Sequence, residues 1–272
     1  MKSRFPWLPA LGSLGYVLLY VPIIVMVIYS FNASTRSSAV WAGWSFRWYV
    51  EIWSDEALRS SLLNSLKIAF IAATISIVLG TMVAFALRRF GGFRLRRLLA
   101  GLASLPLVMP EVVTGLMMVL FFDAFRRLIG WPEQNGVTTV VIAHSTFGLA
   151  FAAVVVQARL ADFGEDLVEA ASDLGASRVD SFLSVTLPII LPALIAGWLL
   201  AFTLSFEDVV ITQFVNGPGS TTLPVEIYSR VKLGVKPEIN VLATLMIAVV
   251  AVGLSIAIWV QARMQRQAER LD

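Results

Sequence analysis

The chain has 272 residues, 58% of them hydrophobic and 14% charged, with a mean hydropathy of +0.80. An average soluble domain is about 25% charged, so the composition excludes an ordinary globular protein and indicates repeated membrane spans. A net charge of +3 is too small to argue for nucleic acid, and the lack of cysteine excludes disulfides, thiolate metal sites and thiol nucleophiles.

A bilayer core takes about 20 apolar residues to cross. Six stretches qualify, at roughly 9–31, 62–87, 99–122, 137–158, 189–213 and 240–261. The first follows Lys2 and Arg4 but is too long for a signal-peptide core, and reads as a retained span. Together they predict one all-α integral membrane domain over residues 1–272. RRFGGFRLRR, from Arg88 to Arg97, holds five arginines, which the positive-inside rule assigns to the cytoplasm. Both termini and the 159–188 loop then fall on that side, in agreement with Arg263, Arg266 and Arg270.

After the first span comes VWAGWSFRWYVEIW, which gathers Trp41, Trp44, Trp48, Tyr49 and Trp53. Amphipathic rings favour the headgroup level. The segment reads as a short interfacial helix or as a docking surface for an external partner.

In the third span, LPLVMPEVVTGL places Pro106 and Pro110 four apart, with Glu111 next. Proline breaks a helix, and broken backbone at membrane depth lines a cavity or is buried in protein. A helix restarting at Pro110 has Glu111 in its first turn, where the dipole favours an anion. His144, the only histidine, reads as a helix-to-helix hydrogen bond rather than a metal ligand or proton relay.

LLAFTLSFEDVVITQF carries Glu207 and Asp208 in an apolar run. Charges at membrane depth are expensive and normally functional. Counting about 1.5 Å per residue from the cytoplasmic side, Glu111 lies roughly 18 Å in and Glu207 and Asp208 roughly 27 Å in. Asp123 falls at the external end of the third span. These acids form a candidate cation path, with Phe202 and Phe206 one turn apart to pack an organic cation. Neighbouring residues on a helix point about 100° apart. Asp208 is therefore expected on the path or at a gate, and Glu207 on the path or paired with another helix. NGPGSTTLP, Asn216 to Pro224, reads as a surface turn or part of an external gate.

The 159–188 loop is acidic and rich in small residues. Glu165, Asp166, Glu169 and Asp173 align on or near one helical face, and Ala170, Ala171, Gly175 and Ala176 permit close approach of another surface. Pro188 and Pro192 open the fifth span. EAASDLGASRVDSFLSVTLPIILPALIAG resembles the EAA motif of bacterial ABC importer permeases of the type I class, in register at Glu169, Ala170, Ala171, Gly175, Pro188, Pro192 and Gly197. The resemblance implies a six-span permease bundle with a cytoplasmic coupling-helix loop. In it, Glu169 contacts an ATPase and Gly175 turns between two short helices.

VWAGWSFRWYVEIW, PLVMPEVVTGL and the run from Gly197 through PEINVLAT also resemble the polyamine permeases, most of all the second permeases of putrescine uptake systems and then their spermidine counterparts. Such permeases often carry Asp at the positions of Glu111 and Glu207, so charge is kept and reach grows by a methylene. The family pattern implies a second homologous permease, two ATPase copies that bind the ATP and Mg, a periplasmic polyamine-binding protein and a bacterial inner membrane. The four lysines form no GK pair, so this chain has no ATP loop of its own. It offers no metal-ligand cluster, nucleophile elbow or other catalytic constellation. The rival readings are a permease for another organic cation and an ion-coupled carrier; the latter often shows paired broken halves, and no such internal repeat is visible.

Overall fold

The computed structural model describes residues 7–35, 40–89, 94–162, 166–233 and 237–268. Twelve α-helices are assigned among them: α1 Leu8–Tyr29, α2 Arg47–Ser54, α3 Glu56–Arg89, α4 Arg96–Val108, α5 Glu111–Ile129, α6 Val137–Asp162, α7 Asp166–Asp173, α8 Arg178–Ser181, α9 Leu187–Glu207, α10 Val210–Val215, α11 Leu223–Leu233 and α12 Glu238–Ala268. Among the described residues, five continuous helical stretches are long and apolar enough to cross a membrane: Leu11–Tyr29, Glu56–Arg88, Val137–Ala161, Arg178–Glu207 and Glu238–Ile256. The sixth expected span, 99–122, is divided between α4 and α5.

Contacts partition the chain into two compact units, Met1–Ser60 with Glu226–Val250, and Ser61–Val225 with Ala251–Asp272. In the first, no residue of the apolar stretch Leu11–Tyr29 of α1 is buried among the described residues. The aromatic segment after it closes on Asn32. The Asn32 side chain donates to the Val40 carbonyl at 2.7 Å and accepts from the Ser34 and Ala42 amides. The Trp48 indole N–H donates to the Asn32 carbonyl. Trp48 and Ile52 of α2 are buried, whereas Trp44, Phe46 and Trp53 are exposed. The short helix expected here is present, but Trp48 is a core residue.

In the second unit, α3, α6 and α9 pack through small side chains. Ala69, Ala72, Ala73 and Ala84 of α3 and Ala152 and Ala153 of α6 are fully buried. A Cβ added at Gly80 would lie 2.8 Å from Ala152 Cβ, and one at Gly148 would lie 2.6 Å from Ser76 Oγ. Small residues let backbones approach where no hydrophobic force drives helices together. A second cluster joins Phe122 of α5 to Ile211 and Val215 of α10 and Val140 of α6.

Of the four prolines expected to break helices, Pro110 alone sits at a break. Met109 and Pro110 are extended, and α5 restarts at Glu111. Pro106 lies inside α4, two residues before the helix ends at Val108. Pro188 sits in the first turn of α9, preceded by the π-turn Phe182–Thr186, in which the Leu187 amide reaches back to the Phe182 carbonyl. That wide turn absorbs the missing proline donor, and Pro192 stays within a continuous α9. The fifth span also differs from the expected 189–213: α9 ends at Glu207, and Asp208 is extended with ψ of 128°.

Candidate functional site

The breaks in the third and fifth spans create the site. Glu111 opens α5 and is exposed, in the position the helix dipole favours for an anion. Glu207 closes α9 and is also exposed, at the end where the dipole disfavours an anion. Glu207 interacts electrostatically with both Glu111 and Asp208. Nothing in helix chemistry rewards a carboxylate there, which singles it out as a candidate.

Asp208 is built differently. Its side chain is only 8% exposed. One oxygen accepts the Ile211 amide at 3.2 Å; the other accepts the Thr212 amide at 2.8 Å and the Thr212 hydroxyl at 3.0 Å. Asp208 thus caps α10 from just upstream and stabilises the break that its own backbone makes. His144 of α6 completes the cluster. Its Nδ1 is 2.7 Å from Ser205 Oγ, and its Nε2 is 3.0 Å from Thr212 Oγ1 and 3.4 Å from Asp208 Oδ2. The helix-to-helix role expected of this histidine is what the structure holds. Asp208 only accepts, so Nε2 carries a hydrogen towards it, and in the neutral ring Nδ1 accepts from the Ser205 hydroxyl.

An aromatic stack lines α9 beneath the break. Trp198 and Phe202 are 5.3 Å apart and inclined by 17°; Phe202 and Phe206 are 5.8 Å apart and inclined by 9°. Phe70 meets Trp198 edge-on, and the indole N–H donates to Thr74 Oγ1. Phe206 is completely buried, while Trp198 and Phe202 are half-buried. An apolar cavity of about 470 Å³ opens beside Trp198, lined by Ile77, Met82 and Leu194 among others. Sequence reasoning missed Trp198, although its spacing of four from Phe202 was a signal. Asp123 is not gathered with Glu111 and Glu207; it pairs with Arg127 at 2.7 Å, near the other end of α5.

The second candidate region is α7 and its turn. Glu169, Ala170 and Asp173 are exposed on α7, and Ala171 and Ala176 are half-buried. Glu165 lies outside the described residues. Gly175 has φ of +86°, and the Ala176 amide returns to the Ala171 carbonyl at 3.0 Å, ending the helix in a Schellman-type turn. Ser177 and Asp180 form a capping box that starts α8. Leu174 is 90% exposed, and Leu167 and Val179 are exposed with it. An apolar and acidic surface this open suits a protein partner. From α8 the helix continues through the π-turn into α9, so this region and the break at Asp208 are the two ends of one rod.

Residues 76–270 match the family model described as binding-protein-dependent transport system inner membrane component. The chain is 48% identical over 264 residues to the putrescine transport system permease protein PotI of Escherichia coli, covering 97% of this chain and 94% of that one. It is 38% identical over 245 residues to the spermidine/putrescine transport system permease protein PotC of Haemophilus influenzae, covering 90% and 92%. Among solved structures, a bacterial ABC transporter that imports the acidic polysaccharide alginate matches with a TM-score of 0.69 and 17% identity, covering 96% of this chain and 94% of that one. The MetNI methionine ABC transporter matches with a TM-score of 0.64 and 18% identity, covering 77% and 99%. At those identities the two structures speak to fold alone.

Proposed function

Because the chain belongs to the family of binding-protein-dependent transport system inner membrane components, we propose that it moves polyamine, putrescine first and spermidine next, from periplasm to cytoplasm by alternating access. It is a permease subunit of an ABC importer and a multi-pass inner membrane protein, and ATP is hydrolysed by a separate chain. Its working assembly comprises a second homologous permease, two copies of a cytoplasmic ATPase that bind ATP and Mg, and a periplasmic polyamine-binding protein. The arginine-rich stretch between α3 and α4, the coupling segment at α7 and both termini face the cytoplasm.

The observation that carries this reading is the pair of exposed carboxylates, Glu111 and Glu207, at the ends of two broken helices. A polyamine is a flexible chain with ammonium groups joined by methylenes. Its ammonium groups offset the carboxylate charges, and its methylenes pack on Phe202 and Trp198, whose faces also attract cations. Asp123, beside Arg127, stands at the external mouth. Asp208 and Phe206 act from behind the path, setting the shape of the break rather than touching the cargo.

The ATPase engages Glu169 and the exposed leucines of α7 and its turn. Displacement of that segment passes into α9, which runs about 30 Å from Leu187 to the break. The test is ATP hydrolysis by the reconstituted complex with its binding protein, comparing putrescine with spermidine, and repeated with Glu169→Lys. Stimulation by a polyamine that the variant loses supports cargo and coupling together. An intact complex that neither polyamine stimulates removes the polyamine assignment and favours another organic cation.

A further inference from the structure

We propose that His144 is a positioning residue of the transport path: it clasps the two sides of the break in the fifth span and so fixes the direction in which Glu207 leaves α9. This rests on the reading of Glu207 as a path residue.

The geometry is specific. One imidazole nitrogen holds Ser205, in the last turn of α9, and the other holds Thr212 and Asp208, on the far side of the break. Both helix pieces are therefore tied to the same point on α6. His144 is 3% exposed, and the crevice beside it, walled by Phe147, Ala201, Leu204 and Ile211, has no room for a water molecule. No solvent stands ready to replace either grip. The break contains neither proline nor glycine, so the backbone alone does not impose it. What imposes it is Asp208, which prefers capping α10 to continuing α9, and the ring that pins Asp208 in that arrangement. Glu207 lies between Ser205 and Asp208 and is exposed, whereas Ser205 and Phe206 before it are buried. With the clasp released, α9 and α10 can straighten towards a continuous span, and Glu207 rotates away from Glu111.

This chain has no cysteine of its own, so a labelled subunit can be assembled with cysteine-free partner chains. Spin labels on Leu200→Cys, in α9, and Gln213→Cys, in α10, report the angle of the break in the full complex, reconstituted in liposomes with its binding protein. In the parent chain the distance distribution is expected to be narrow. His144→Ala should broaden and shift it, and should lower the turnover of putrescine uptake by ~10-fold or more while apparent affinity changes less than ~3-fold. His144→Gln keeps one donor and one acceptor at similar reach and should restore both readouts. If His144→Ala prevents assembly, Ser205→Ala removes one grip only and should still broaden the distribution. An unchanged distribution in these variants overturns the clasp. So does equal loss of turnover in the Ala and Gln variants, because hydrogen bonding is then not what the ring supplies. A complex that takes up no polyamine, yet whose break angle still depends on His144, overturns the polyamine reading and keeps the clasp.

Discussion

Glu111 and Glu207 are two exposed carboxylates that interact with each other from opposite kinds of helix end, the N-terminus of α5 and the C-terminus of α9. The dipole stabilises the first and opposes the second, each by about 0.3–1 kcal/mol. The pair therefore separates a stability effect from a transport effect. Glu207→Gln should raise the melting temperature of the purified chain slightly, since it removes both repulsion and a misplaced charge. Glu111→Gln should lower or leave it. Both should cut polyamine uptake by ~10-fold or more, so that at Glu207, unlike Glu111, stability and transport oppose one another. Normal uptake by either variant at normal complex levels would remove that residue from the path.

The turn after α7 gives a prediction about coupling. Gly175 has φ of +86°, and a Cβ there would meet nothing within 4 Å. Only backbone conformation opposes a side chain, at about 1–2 kcal/mol for most residues and less for Asn. Gly175→Val should misalign α7 and α8 without disturbing the membrane-embedded packing. The measurement is the ratio of ATP hydrolysed to substrate moved. It should rise in Gly175→Val and stay near the parent value in Gly175→Asn. Equal ratios in both variants would mean that the turn tolerates any conformation.

Much of this was legible in the chain because it is written in local signals. Apolar run length marks the spans, Pro110 followed by Glu111 marks the restart of α5, and Gly175 marks the end of α7. The break at Asp208 carries no proline or glycine. It depends on a side chain choosing to cap the next turn, and on a histidine 64 positions earlier in the chain that rewards the choice. Trp198 is similarly hidden, because its orientation is set by Thr74 and Phe70 on α3. The Arg230 network joins residues up to 175 positions apart, a pairing that no local pattern records.

Packing through glycine predicts a sharp contrast between two helical sites. At Gly80 an added Cβ would meet Ala152 Cβ at 2.8 Å, the Ala153 amide nitrogen at 2.9 Å and the Leu149 carbonyl oxygen at 3.0 Å. Two of those atoms are backbone and cannot turn aside. Gly80→Ala should destabilise the purified chain by about 1–3 kcal/mol through overpacking. Gly101, inside α4, has nothing within 4 Å. There the gain in helix propensity acts alone, and Gly101→Ala should stabilise by up to about 1 kcal/mol. Thermal unfolding in detergent measures both. Similar shifts at the two sites would show that close helix approach at Gly80 is not limiting.

Arg230 predicts a reversal in the pH dependence of stability. It holds Asp55 at 2.8 Å, Glu226 at 2.8 Å and Glu238 at 3.3 Å. Burial pushes the Asp55 carboxyl up, but the Arg230 hydrogen bond, the Leu58 amide and the Arg230 charge outweigh it and hold the carboxyl below its ordinary value. For Arg230, burial works against the charge, and the bonds to Glu226 and Asp55 outweigh it, so the guanidinium stays protonated throughout the useful range. A carboxylate whose folded pKa is depressed contributes stability above its unfolded pKa and loses it as pH falls through the folded one. The parent chain should therefore lose the Asp55 contribution on acidification below about pH 4. Arg230→Met leaves Asp55, Glu226 and Glu238 without the guanidinium that joins them. That variant should be less stable by about 1–3 kcal/mol at neutral pH, and should regain stability as pH falls and the acids take up protons. Melting temperatures of parent and variant between pH 7 and pH 4 should therefore converge. Two curves that fall in parallel would mean that Arg230 is not the group that balances those three acids.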